Sequence, residues 1–165
     1  MALDVAVLLA GFVLAHAAWS VSDLPKGELL VPLAVVEKNG QRQLLRFQAG
    51  TQDQAIADGK AALATRQPEL DAWALGREGL MPDGHGKVDV LTVEAWAKGM
   101  ARPITFVQRF TPASSGAFRL LGDPIVVVDG KAVEGAEATR AVNTLHDDIR
   151  QHTKAGPLWQ GWRGQ

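Results

Sequence analysis

The chain has 165 residues, 47% of them apolar and 21% charged, with a formal net charge of -1. Residues 1–165 are therefore expected to form one globular domain that can bury about 70% of its chain surface without help from a metal or disulfide. The absence of cysteine excludes a thiol nucleophile, a zinc–thiolate site and an iron–sulfur cluster, and the near-zero charge gives no bulk attraction for nucleic acid or an anionic membrane.

Residues 5–19 are apolar or small almost throughout, which predicts an apolar helix over residues 1–20. A helix apolar on all sides must be covered on most of them. Ala6, Ala10, Gly11, Ala15, Ala17 and Ala18 let another backbone come close, in a core or between two copies of the chain. A membrane span takes about 20 apolar residues. Ser20, Ser22 and Asp23 end this run short, so no span is expected. A secretory leader carries a basic start, whereas Met1-Ala2-Leu3-Asp4 carries an acid. The expected compartment is the cytoplasm. The alternative is a secreted or periplasmic protein that loses residues 1–18 as a signal peptide, since Ala15-His16-Ala17 has the form of a cleavage site.

Leu24-Pro25-Lys26-Gly27 breaks the chain. Residues 29–38 and 41–48 then read as strands joined by Asn39-Gly40, a two-residue turn that fixes the register. Lys38 should face Gln41, Glu37 Arg42, Val35 Leu44 and Leu33 Arg46. One face carries Leu30, Pro32, Ala34, Val36, Leu45 and Phe47 and belongs to a core. The other is apolar at Leu33, Val35 and Leu44 and charged at Glu37, Arg42 and Arg46, so its apolar end needs a cover. Pro32 favours an edge strand, or an edge-facing position, for the first strand.

Thr51-Gln52-Asp53-Gln54 has the capping-box pattern, and a helix should run to about residue 65. Strands are expected over 72–80, 87–97, 103–110, 117–121 and 125–128, the last two separated by Gly122-Asp123-Pro124. Val88, Val90, Thr92, Glu94 and Trp96 share one face of their strand, with Gln108 expected beside Glu94 on the next. Residues 134–152 repeat apolar positions at helical spacing through Ala138, Val142, Leu145, Ile149 and His152. The tail 157–165 should fold back through Trp159 and Trp162.

This predicts an α+β domain with an antiparallel sheet of five to six strands flanked by three helices, in the order α-β-β-α-β-β-β-(β)-α. The order resembles the roadblock and profilin-like architecture, in which helices flank a five-stranded antiparallel sheet. The resemblance is one of element order over most of the chain, and no motif residue carries a site across.

Chemistry is thinly marked. The sequence has no phosphate-binding loop, dinucleotide fingerprint, nucleophile elbow or His-Glu-x-x-His motif. No catalytic residue, metal ligand set or cofactor is assigned. His16 lies in the apolar helix one turn from Trp19. Glu37, Arg42 and Arg46 could hold a carboxylate or phosphate across the hairpin. Glu94 beside Trp96 is the arrangement from which a buried carboxyl works as a general acid, though no second group pairs with it. Asp148 should partner His152, and Arg150 should share a helix face with His146. The leading expectation is a non-enzymatic protein-interaction module acting as a homodimer or with another protein. The alternative is a small-ligand binder or enzyme with a pocket between sheet and helices.

Overall fold

The computed structural model describes residues 2–164. Its first element is α1, Ala2–Val21. A hairpin of β1, Leu33–Lys38, and β2, Gln41–Arg46, follows. Next come α2, Gln52–Arg66, and the long strands β3, Ala72–Pro82, and β4, Lys87–Ala97. The strands β5, Ile104–Thr111, β6, Arg119–Val128, and β7, Lys131–Val133, complete the sheet. The chain ends in α3, Ala136–Gln151, and the short α4, Trp159–Trp162. All pairings are antiparallel, and the seven strands lie in the order β2-β1-β3-β4-β5-β6-β7. The α+β class and the antiparallel sheet with flanking helices are as the sequence predicts, with one or two more strands and a fourth helix.

The hairpin register matches residue for residue: Lys38 faces Gln41, Glu37 Arg42, Val35 Leu44 and Leu33 Arg46. Asn39 and Gly40 both have positive φ, as a two-residue turn that follows the strand twist requires. Pro32 does not mark an edge. It lies before β1, outside the ladder, and β1 is an inner strand between β2 and β3. The edge strands are β2 and, at the far side of the sheet, β7.

Each sheet face has its own core. On one, Ala34, Val36, Trp73, Leu75 and Trp96 pack with Leu63 of α2. Thr51 caps α2 by accepting a hydrogen bond from the Gln54 N–H at 3.1 Å. The other face packs against α1 through Leu33, Val35, Ala72, Ala74, Val93 and Ala95. These small residues let α1 lie close: a Cβ on Gly76 would come within 2.8 Å of Val13 Cγ1. On its far side α1 meets α3, where a Cβ on Gly11 would sit 2.6 Å from the Leu145 carbonyl oxygen. Eleven residues of α1 are buried between the two layers. The helix is 20 residues long, as the sequence predicts, and is long and apolar enough to cross a membrane. Here that apolar surface is spent on the core of its own chain.

Gly122-Asp123-Pro124 bends β6 without breaking it. The register against β5 shifts between Val107 and Arg109. Gln108 fills the irregularity, buried, with its Nε2 donating to the carbonyls of Arg109 at 2.9 Å and Gly122 at 3.1 Å. Gln108 therefore pairs with Leu91 and lies on the face opposite Glu94, which pairs with Thr105. The tail does fold back: Trp159 is buried and Trp162 meets the Phe118 ring edge-on at 5.1 Å.

Candidate functional site

Five of the seven residues singled out in the sequence gather where α1, the end of α3 and β2 meet. His16 and Trp19 come from α1, and Glu37, Arg42 and Arg46 from the hairpin face that looks toward it. Helical spacing sets Phe12, His16 and Trp19 in a row, with ring centroids 6.0 Å apart for Phe12–His16 and 5.7 Å for His16–Trp19. The Arg42 guanidinium lies 5.5 Å from the Phe12 ring centroid, and its Nε is 3.4 Å from Glu37 Oε2. Such contacts near solvent contribute about 0.2–1 kcal/mol each. Their main effect is to hold Arg42 against the protein, while Arg46 has no carboxylate partner among the described residues.

His152, read in the sequence as the partner of Asp148, joins His16 instead. His152 Nδ1 accepts the N–H of Ala155 at 2.9 Å, so its proton sits on Nε2. His152 Nε2 lies 3.2 Å from His16 Nδ1 and donates to it. The His16 proton is then on Nε2, which is buried and has no partner. Burial holds His16 neutral below the usual imidazole range, with His152 and then Arg46 adding to the effect, and burial does the same for His152. Burial raises the Asp148 carboxyl, with Arg42 opposing. Arg150 pairs with Asp147 and not with the His146 ring. Two neutral imidazoles without a nucleophile beside them form a hydrogen-bonded latch between α1 and α3, with no proton-relay geometry to a reacting group.

Glu94 and Trp96 lie elsewhere, on the α2 face of the sheet. The Trp96 Nε1 donates to the Met100 carbonyl at 2.9 Å, and Trp73 Nε1 to Gln67 Oε1 at 2.8 Å. Both indoles are structural, and Glu94 stands half-buried across from Leu75 and Thr105, bordering the same small cleft as Lys60 of α2. No group of three or more His, Asp or Glu side chains among the described residues is placed to hold a metal ion.

The backbone of β2 completes the site. The tight turn makes Lys38 and Gln41 a mutually hydrogen-bonded pair, so the N–H and C=O groups of Gln41, Gln43 and Leu45 point to β1. The Phe47 N–H continues this alternation by donating to the Pro32 carbonyl at 2.9 Å. Arg42, Leu44 and Arg46 therefore turn their backbone groups outward, where no strand of the sheet takes them. Their side chains all lie on the α1 side, with exposed Leu44 between two arginines and exposed Trp19 nearby on α1. The sequence located these side chains; it gave the wrong strand as the edge. The chain matches no known family model, no curated protein and no solved structure.

Proposed function

We propose that this protein is a non-enzymatic interaction module that takes a partner's acidic strand on the free edge of β2. The outward backbone groups of Arg42, Leu44 and Arg46 carry the reading. They form a ready template for one more antiparallel strand. An incoming strand with acid, apolar and acid at alternate positions would set its carboxylates opposite Arg42 and Arg46 and its apolar side chain opposite Leu44. Each such cross-strand pair adds about 0.2–1 kcal/mol. Trp19, exposed one turn along α1 from His16, is an aromatic that an incoming partner could use as an anchor.

A second copy of the chain is disfavoured at this edge by charge. Full two-fold pairing of β2 with itself centres on Leu44 and sets each Arg42 opposite the Arg46 of the other copy. Like charges directly opposite are destabilising. The same two arginines thus guard the edge against self-pairing and select an acidic partner. The deep burial of α1 supports its retention in the working protein, in keeping with the cytoplasmic reading.

The test uses a capped peptide that alternates acid-Thr-Val-Thr-acid and a control with lysine in place of the acids. The acidic peptide should bind and slow hydrogen exchange at the Arg42, Leu44 and Arg46 amides, with the lysine peptide at least about tenfold weaker. Equal binding of the two peptides, or protection elsewhere, overturns the proposal. A light-scattering mass near twice 17.6 kDa over a dilution series, with those same amides protected, assigns the edge to a second copy instead.

A further inference from the structure

A cleft of about 490 Å³ opens on the other side of the molecule, between β6, β7 and the first half of α3. Its origin lies in the apolar stripe of α3. Leu145 and Ile149 are fully buried against α1. Val142 and Ala138, one and two turns before Leu145 on the same stripe, are only half-buried and border the cleft. Val133, half-buried, and Val126, buried, border it from the sheet. Val133, Ala138 and Val142 thus pack against the core on one side and leave apolar surface at the cleft on the other, although burial of such side chains is ordinarily worth about 25 cal/mol per Å².

Polar groups line the cleft too, Thr139 and Asn143 of α3 among them. His146 lines the cleft, and its Nε2 is buried without a hydrogen-bond partner. An unpaired buried polar atom is costly. Desolvation, with Arg163 next, keeps this imidazole neutral below its usual range. Beside it, Arg163 is tied to Asp123 at 2.7 Å, so the His146 end holds one charge of each sign. Glu134 borders the cleft as well and has no cationic partner among the described residues. The fixed charge disfavours an anion, and the Arg163 guanidinium disfavours a cation at the imidazole.

We propose that this cleft binds small uncharged molecules with an apolar body and one hydroxyl group, the hydroxyl meeting His146 Nε2 once the half-buried ring turns toward the cleft and the body lying against Val133, Ala138 and Val142. A hydroxyl both donates and accepts, so it satisfies His146 in either neutral tautomer. The volume lies within the range of ordinary small-molecule sites. None of these residues belongs to the β2 edge, and the proposal stands or falls apart from that one.

Three probes of one shape test it on the full chain: p-cresol, toluene and p-toluate, titrated while the amide and indole signals are followed by NMR. The p-cresol shifts should saturate and centre on residues 136–146 and the Trp159 indole, whose ring lies 6.3 Å from that of His146. Toluene should bind about tenfold more weakly for want of the hydrogen bond, and p-toluate more weakly still. His146→Phe should bring p-cresol down to the level of toluene. Ala138→Phe should fill the cleft and abolish binding. Ala132→Trp, at an exposed strand position on the rim, does the same without entering the core. The proposal is overturned if p-cresol does not saturate, if p-toluate binds as well, or if both filled variants bind p-cresol normally.

Discussion

His16 Nδ1 and His152 Nε2 lie 3.2 Å apart, and the Ala155 N–H already occupies His152 Nδ1, so the pair holds together only while both rings are neutral. Protonating His16 would set two N–H groups against each other. Protonating His152 would expel the Ala155 amide. Through this pair, the contact between α1 and α3 should depend on pH.

The sign follows from the direction of the shifts. Both histidines titrate lower in the folded chain than the ordinary value of 6.5. Their contribution is fully present above that value and is lost as pH falls through the folded pKa values. The nearby charges are Arg42 and Arg46 on β2, Glu37 on β1 and Asp148 on α3. Arg46 opposes protonation of His16. Each histidine gives a slope of at most about 1.4 kcal/mol per pH unit, reduced by solvent screening. His146 shifts in the same direction, so the readout is a difference. Urea melts at pH 7.5 and 5.5 should lose less stability in His16→Phe than in the parent chain. An equal loss removes His16 from the account.

The close passage of α1 across α3 at Gly11 gives a second expectation. An Ala side chain there meets a backbone carbonyl at 2.6 Å, which cannot turn aside. Gly11→Ala should cost about 1–3 kcal/mol by overpacking, despite the helix propensity it adds. Gly59 in α2 provides the comparison, because its new Cβ meets only the Phe47 ring, at 3.0 Å. Gly59→Ala should be near neutral. Chemical denaturation of the two variants checks the pair, and a neutral Gly11→Ala would mean that the helices are not in this contact.

Loss of residues 2–18 should abolish the fold. Val7, Leu9, Val13 and Leu14 are each no more than 1% exposed. Burying each contributes about 1.5–3 kcal/mol, and together they rival the roughly 5–15 kcal/mol by which a domain is stable at all. A chain beginning at residue 19 should show no cooperative thermal unfolding by circular dichroism. A cooperative melt would place α1 outside the core.

Arg46→Glu tests the guarding of the β2 edge. In the two-fold register, the introduced carboxylate would face Arg42 of a second copy, and symmetry makes two such pairs. Repulsion becomes attraction of about 0.2–1 kcal/mol per pair. The variant should self-associate at concentrations where the parent is a monomer, as read by sedimentation. The same substitution should weaken the acidic peptide. If the variant stays monomeric and binds the acidic peptide as well as before, the inferred strand pairing is wrong.

Local signals in the chain determined much of this protein. Asn39-Gly40 specified the hairpin register, Thr51-Gln52-Asp53-Gln54 started α2, and the period-two alternation over residues 87–97 gave β4 with its faces, because each depends on backbone geometry within a few residues. The grouping of Glu37, Arg42 and Arg46 was legible for the same reason. What lay beyond the sequence was every decision that depends on partners far along the chain. Pro32 read as an edge because proline cannot donate, but whether a strand is central depends on the α2 connection that returns β3 to the side of β1. Asp148 is one helical turn from His152, yet His152 pairs with His16, 136 positions away, because Gly11 lets α1 and α3 cross closely. The Gly122 bend read as a break, since only the buried Gln108 side chain, from the neighbouring strand, carries the ladder across it. Likewise, the apolar stripe of α3 is uniform in sequence, and only tertiary packing decides that its second half is core and its first half borders a cleft.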